Sequence, residues 1–137
     1  MSKLWTIQDW KTAYLTQKIQ LSDLIQYVKS FNNDDHAWIE TASAAHIQAQ
    51  IDALKDQSAQ DLPLYGIPFA VKDNIDVAGF HTTAACKEAA YLATSDATIV
   101  AKLKAAGAVV LGKTNLDQFA TGLVGVRSLF GAVKNSF

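Results

Sequence analysis

The stretch Gly-Ile-Pro-Phe-Ala-Val-Lys-Asp-Asn, residues 66–74, is the most informative part of this chain, because it places an apolar run directly before a lysine. The apolar side chains of the run are Ile67, Phe69, Ala70 and Val71. They suit a strand covered on both faces, predicted over Leu64–Val71, in which Pro68 indicates a sheet edge or a bulge. The residue after such a strand emerges where the sheet meets its loops, so Lys72 is a candidate site residue.

Lys72 has two interpretations at this point. A lysine held partly out of water has a lowered pKa, and its neutral amine can accept a proton from a hydroxyl nucleophile, as in a hydrolase. Lysines also end strands as ordinary solvated charges, and Asp73 could pair with Lys72 and hold it protonated.

The residues that follow predict alternating helices and strands. Ser95 or Asp96 can cap a helix over residues 97–106, with Gly107 as its left-handed C-terminal residue. Ala108–Leu111 then reads as a buried strand. A helix followed by an apolar strand is half of a crossover unit, which predicts an α/β fold.

Residues 112–115, Gly-Lys-Thr-Asn, are predicted to form a turn. Thr114 with Asp117 would cap a short helix over residues 116–121. The flanking glycine spacing of a phosphate-binding loop is missing, so Lys113 is not predicted to bind phosphate.

The upstream sequence predicts a helical segment over residues 1–61, followed by an α/β segment over residues 62–137. Polar residues 55–61 form the boundary between them. The predicted helix caps are Thr6 with Asp9, and Ser22. A third helix is predicted over residues 43–54.

Composition excludes several functional classes. With 137 residues, a net charge of -1 and scattered basic residues, the chain offers no electrostatic footprint for nucleic acid or an anionic membrane. Neither an apolar run of about 20 residues nor a signal-peptide pattern is present, which predicts a cytoplasmic protein.

The lone Cys86 is predicted to be a buried hydrophobe. No metal-ligand spacing connects the histidines at His36, His46 and His81.

Three pieces of the chain, in this order, resemble the amidase signature family: residues 66–74, the helix and strand of 96–111, and the Gly-Lys-Thr-Asn of 112–115. The run Asn-Leu-Asp-Gln-Phe-Ala-Thr-Gly-Leu-Val-Gly-Val-Arg-Ser, residues 115–128, is most similar to the allophanate-hydrolysing branch. Amidotransferase A subunits usually carry glutamate at the position of Gln118. The resemblance implies a mixed β-sheet sandwiched by helices, of which this chain would form the first strands and helices.

The resemblance also implies a Ser-cisSer-Lys triad in which Lys72 is the base. The serine-rich segment that supplies the other two members is expected to follow Phe137, so no nucleophile is assigned within this sequence. Asp73 and Asn74 become candidates for orienting Lys72. Substrate contacts are implied for Thr121, Gly122 and Leu123. Neither a metal nor an organic cofactor is expected.

The expected function is therefore that of an N-terminal portion of an allophanate hydrolase of urea degradation, inactive by itself, with a small amide as substrate. A homodimer and a fusion to a urea carboxylase are both left open. A general amidase or an amidotransferase A subunit is an alternative. A further alternative is a non-catalytic interaction module, whose apolar strands over residues 64–71 and 108–111 would be exposed for association.

Overall fold

The computed structural model describes residues 5–135, which form two compact units. The first unit comprises residues 5–31, 42–69 and 102–111, and the second comprises residues 32–41, 70–101 and 112–135. The chain therefore passes between the two units several times. The predicted division into domains of residues 1–61 and 62–137 stays a prediction.

Helix α1, Ile7–Leu15, begins at the predicted capping box. The Thr6 hydroxyl accepts a hydrogen bond from the Asp9 N–H at 3.2 Å, and the Asp9 carboxylate accepts one from the Thr6 N–H at 2.8 Å. These reciprocal bonds satisfy N–H groups that would otherwise lack a partner at the start of the helix. The buried face of α1 consists of Trp10, Ala13 and Tyr14.

Helices α2, Asp23–Lys29, and α3, Ala44–Ala53, also belong to the first unit. The third predicted helix is confirmed as α3, and at its start the Ser43 hydroxyl accepts a hydrogen bond from the His46 N–H at 3.1 Å. Ser22 stands at the N-cap position of α2, but its side chain makes no capping bond, so that prediction is wrong in its detail.

Tyr14 connects α1 to the turn that precedes the apolar strand of residues 66–74. Its hydroxyl donates to the Gly66 carbonyl oxygen at 2.9 Å, and its ring lies edge-on to Tyr65 with a centroid distance of 5.4 Å. Gly66 has a φ of +67°, and a Cβ there would overlap the Tyr14 ring. Burial raises the pKa of the Tyr14 phenol. Other buried side chains of this unit are Leu24, Val28 and Ile47.

Within residues 5–135, five strands form two sheets. They are β1 (Trp38–Thr41), β2 (Pro68–Lys72), β3 (His81–Thr82), β4 (Tyr91–Leu92) and β5 (Val109–Thr114). The larger sheet has the order β1-β5-β2, with β1 antiparallel to β5, and β3 pairs with β4 in a two-stranded sheet. Strand β2 runs parallel to β5. The Val109 N–H donates to the Ile67 carbonyl where both strands begin, and the Asp73 N–H donates to the Thr114 carbonyl where both strands end.

Helix α4, Thr98–Ala105, lies between β2 and β5 in the chain and completes the predicted crossover. It ends in a Schellman motif, in which the Gly107 N–H donates to the Lys104 carbonyl at 2.9 Å and the Ala108 N–H donates to the Leu103 carbonyl at 3.1 Å. Gly107 has a φ of +99°, which confirms the predicted left-handed residue.

Two sequence predictions about strands are wrong. The segment predicted to be helical contains β1, because Trp38–Thr41 pairs with β5. Residues 112–114 of the predicted turn 112–115 are instead the end of β5. Gly112 sits opposite Thr41, and a Cβ on it would overlap the carbonyl oxygen of Glu40, so glycine permits the two strands to approach.

Two further predictions need correction. The helix predicted over residues 116–121 is a short 3₁₀ helix, Gln118–Ala120. Of the strands expected to present apolar surface, the segment Val109–Leu111 is instead covered, at most 4% exposed, whereas in β2 Val71 is 5% exposed, Phe69 is half-buried and Ala70 is exposed. The large apolar side chains exposed after β5 are Phe119, Leu123, Val124, Val126 and Leu129.

The predicted α/β class is confirmed, as is the position of β2 at the edge of its sheet. Pro68 begins this edge strand, where a missing N–H is tolerated. Within residues 5–135, none of the helices has the length and apolar character that a bilayer span requires.

Candidate active site at the end of strand β2

Lys72 is the last residue of β2, and its side chain is exposed. Its carbonyl accepts a hydrogen bond from the Ile75 N–H at 2.9 Å, which closes a turn directly after the strand. The strand end therefore presents the amine as predicted, although the described part of the chain does not withdraw it from water. Asn74 lies in the same turn and is exposed as well.

Asp73 is fully buried and faces Lys113, rather than pairing with Lys72. One carboxylate oxygen, Oδ1, lies 3.6 Å from Lys113 Nζ and has no hydrogen bond within residues 5–135. The other, Oδ2, accepts hydrogen bonds from the N–H of Thr83, at 3.0 Å, and from the hydroxyl of Thr83. The alternative in which Asp73 holds Lys72 protonated is thereby wrong.

Lys113 projects from β5 into the same cluster and has no exposed side-chain surface. Its Nζ donates to the carbonyl oxygens of Asp73 at 3.2 Å and His81 at 3.0 Å, and to the Thr82 hydroxyl at 3.4 Å. The Thr82 hydroxyl gives its own proton to Asp76 at 2.7 Å, so it can only accept from Lys113.

Three acceptors surround the Lys113 nitrogen. An ammonium has three N–H bonds, so its donors match these contacts in number. Burial lowers the pKa of Lys113, and the nearby carboxylate of Asp73 opposes that shift. Lys113 is therefore a buried cation whose donors are all used.

Asp76 extends the cluster toward β3 and β4. It accepts hydrogen bonds from the Thr82 and Tyr91 hydroxyls, both at 2.7 Å. Two hydrogen bonds hold the pKa of Asp76 below its ordinary range; the one from Thr82 has the larger effect and the one from Tyr91 the smaller. The hydrogen bond between Tyr91 and Asp76 also raises the pKa of the Tyr91 phenol. The cluster thus connects the ends of β2 and β5 to the two-stranded sheet.

The residues predicted to contact substrate lie in a loop organised by Asp117. Its carboxylate accepts hydrogen bonds from the N–H groups of Arg127 at 2.6 Å and Gly125 at 2.9 Å. A Cβ on Gly122 would overlap this carboxylate, so glycine lets the loop close around it. The spacing of Asp117 predicts a helix cap, and in the structure it holds a loop instead.

Within that loop, Leu123 is fully exposed and the Thr121 hydroxyl donates to the Gln118 carbonyl at 2.8 Å. Thr121 and Gly122 precede Leu123 directly, so the three predicted contact residues share one loop. Their role toward a substrate stays a prediction.

Two pairs of alanine and phenylalanine residues adopt left-handed backbone angles in the second unit. Ala84 and Ala85 have φ values of 50° and 58°, and Phe119 and Ala120 have values of 51° and 56°. The Phe119 N–H donates to the Ala84 carbonyl at 2.9 Å, so the two pairs meet. Such angles are unfavourable for residues other than glycine and persist only where the surroundings enforce them.

No group of three or more metal-ligating side chains occurs among residues 5–135. Cys86 is buried, as predicted, and its thiol contacts a Glu88 carboxylate oxygen at 3.3 Å.

Sequence reasoning missed Lys113 as the centre of a buried cluster. Like Lys72, it follows an apolar strand segment, so the same signal is present at both positions. The assignment of residues 112–115 to a turn conceals it, because a turn lysine is expected to be solvated.

Comparison with known proteins matches the family model described as Amidase to residues 21–137. Urea amidolyase of Saccharomyces cerevisiae is 44% identical over 138 residues, covering 97% of this chain and 8% of that protein. The glutamyl-tRNA(Gln) amidotransferase A subunit of Treponema pallidum is 52% identical, covering 98% of this chain and 28% of that protein. The chain spans less than a tenth of the urea amidolyases that it matches.

Solved structures give the same result. Kluyveromyces lactis allophanate hydrolase superposes with a TM-score of 0.84 and 45% identity, covering 93% of this chain and 22% of that one. Because the family model spans most of the sequence and these enzymes share its fold, this chain belongs to the amidase family.

Proposed function

We propose that this chain supplies the general base, Lys72, of an amide hydrolase that converts allophanate to ammonia and carbon dioxide in urea degradation. The observation that carries the proposal is the contrast between two lysines. Lys72 is exposed at the end of β2, whereas Lys113 is buried with all its donors used. Similarity to Kluyveromyces lactis allophanate hydrolase supports the choice of substrate.

In the proposed reaction, the neutral amine of Lys72 accepts a proton from a bridging serine, which in turn deprotonates the nucleophilic serine. The proton later returns to the leaving amine, so the base is regenerated. The proposal assigns both serines to a part of the enzyme outside this sequence. Docking of that part over the end of β2 would withdraw the Lys72 amine from water.

The decisive experiment measures ammonia release from allophanate by the native polypeptide that contains this sequence. General base catalysis typically contributes about 10²- to 10⁴-fold, so Lys72→Ala is expected to lower kcat by about a hundredfold or more. Lys55→Ala, at an exposed lysine remote in sequence from β2, is the matched control and should retain the parent rate. Parent activity in Lys72→Ala would refute the proposal.

An amidotransferase A subunit is the second candidate, because the Treponema pallidum relative reaches 52% identity. Substrate comparison separates the two. A protein that releases ammonia from allophanate but not from glutamine supports the first candidate, and the reverse result supports the second.

The remaining expectations concern partners and location. Urea amidolyases among the relatives suggest that a carboxylase accompanies the hydrolase, either fused or separate. A homodimer and a cytoplasmic location are also proposed. Light scattering of the native polypeptide tests for the homodimer, and cell fractionation tests the location.

A further inference from the structure

The Lys113–Asp73 pair is a buried charge cluster that the proposed proton transfer does not use. Both side chains have no exposed surface, and burying two charges is costly unless their hydrogen bonds are satisfied. Pairs of this kind are weak contributors to stability compared with apolar side chains of similar volume. Stability alone therefore does not explain why Lys113 and Asp73 are buried together.

The pair acts on the residue that directly follows Lys72. The Asp73 N–H donates to the Thr114 carbonyl at 3.0 Å, and the Asp73 carbonyl accepts from Lys113 Nζ at 3.2 Å. The side chain of Asp73 is fixed as well, by Thr83 and by the Lys113 ammonium. Every polar group of Asp73 except Oδ1 thus has a defined hydrogen bond.

Lys72 is consequently attached to a residue that cannot shift without breaking several buried contacts. Its own carbonyl is engaged by the Ile75 N–H at 2.9 Å. The peptide group between Lys72 and Asp73 is therefore held at both its carbonyl and its N–H. Because a displacement of about 1 Å can cost a hundredfold in rate, such fixation matters for a base.

Lys113 cannot itself be the base. Its ammonium is fully buried, and its three protons are donated to Asp73, His81 and Thr82. The charged groups that surround it are the carboxylates of Asp73, Asp76 and Glu40, from β1 and from the segment after β2. They stabilise the ammonium, so it provides a fixed charge rather than an exchangeable proton.

We propose that the buried Lys113–Asp73 pair positions Lys72, by fixing the backbone that carries its amine. This inference rests on the proposed function of Lys72 as the base. Both members of the pair are positioning residues, since neither has exposed surface with which to touch a substrate.

The test compares two backgrounds of the native polypeptide with allophanate as substrate. Lys113→Met alone leaves a buried carboxylate without its cation, so the variant used is Lys113→Met combined with Asp73→Asn. This double change is introduced into the parent and into Lys72→Ala. Thr83→Val, which removes one hydrogen bond to Asp73 and keeps both charges, is the milder second variant. Lys55→Met is the matched control.

In the parent, we expect the pair variant to fold, to lose about tenfold or more in kcat, and to change KM by less than about twofold. In Lys72→Ala, the same change should alter the residual rate by less than about twofold, because the base through which the pair acts is absent. Thr83→Val should lower kcat in the same direction by a smaller factor.

Three results would count against these ideas, and they are distinguishable. Equal losses in both backgrounds overturn the positioning role. An unchanged kcat in a folded pair variant also overturns the positioning role. If the pair variant does not fold, an unchanged kcat in a folded Thr83→Val variant overturns it. Parent activity in Lys72→Ala alone instead overturns the proposed function, and that result is obtained before the pair is altered.

Discussion

The Nζ atom of Lys113 lies 3.6 Å from Oδ1 of Asp73, and neither side chain has any exposed surface. This contact gives Asp73 a partner on a neighbouring strand and leaves Lys72 exposed beside it. Two adjacent residues of one motif therefore have opposite environments: Asp73 lies in the interior and Lys72 at the surface.

The first prediction concerns the loss of stability when only one member of this pair is removed. Lys113→Met should lower the free energy of unfolding by about 3–5 kcal/mol, because it leaves a buried carboxylate uncompensated. The double variant with Asp73→Asn should lose less, since both charges are removed together. Urea denaturation measures the difference. A double variant less stable than Lys113→Met would contradict this account.

The second prediction concerns acid sensitivity. The backbone N–H groups of Arg127 and Gly125 hold the pKa of Asp117 below its ordinary value of 3.8. A depressed pKa in the folded state means that the ionised carboxylate contributes stability that is fully present above about pH 3.8 and is lost as the pH falls through the folded pKa.

Asp117→Asn should therefore be less stable than the parent at pH 7, and the difference should shrink below pH 3.8. Melting temperatures measured from pH 7 to pH 2.5, roughly the range over which carboxylates titrate, provide the readout. Asp56→Asn, at an exposed carboxylate, serves as the control and should leave the pH profile unchanged. A constant difference at all pH values would contradict the prediction.

A third prediction tests the contact between α1 and the turn before β2. Tyr14→Phe removes the hydroxyl that donates to the Gly66 carbonyl and should cost about 1–2 kcal/mol of unfolding free energy. Tyr27→Phe is the matched control, because Tyr27 is only half-buried and its contacts are made by its ring. Equal effects of the two changes would mean that the hydrogen bond contributes nothing.

The fourth prediction uses the left-handed backbone of Ala120, which is exposed and has a φ of 56°. Ala120→Gly should stabilise the protein by about 1 kcal/mol, because glycine adopts this angle without the steric cost of a Cβ. Ala101→Gly, at an exposed position within α4, should have the opposite sign and destabilise by about 1 kcal/mol. Thermal melts of the two variants give the comparison.

Local patterns are sufficient to predict several elements. The Thr6–Asp9 capping box and the left-handed Gly107 are confirmed, because each depends on residues within a few positions of one another. The order of a helix followed by an apolar strand also predicts half of a crossover unit and the α/β class. These features follow from backbone hydrogen bonding and from steric limits that are local to the chain.

Predictions fail where a distant segment decides the outcome. Trp38–Thr41 becomes a strand only because β5 offers it a partner, and Gly112 belongs to a strand because glycine permits that close pairing. Asp117 has the spacing of a helix cap, but its carboxylate binds N–H groups eight and ten residues further along. Spacing alone does not distinguish these arrangements.

The α/β class and the position of Lys72 at the end of an apolar strand follow from the amino-acid sequence, and the order of its motifs carries the family resemblance. Apolar periodicity, caps and motif order are properties of neighbouring residues, so they can be recognised without a structure. Which of the two lysines is buried, and which carboxylate accompanies it, follows instead from tertiary contacts. That choice depends on the pairing of β2 with β5, which places Lys113 beside Asp73, forty positions away in the chain.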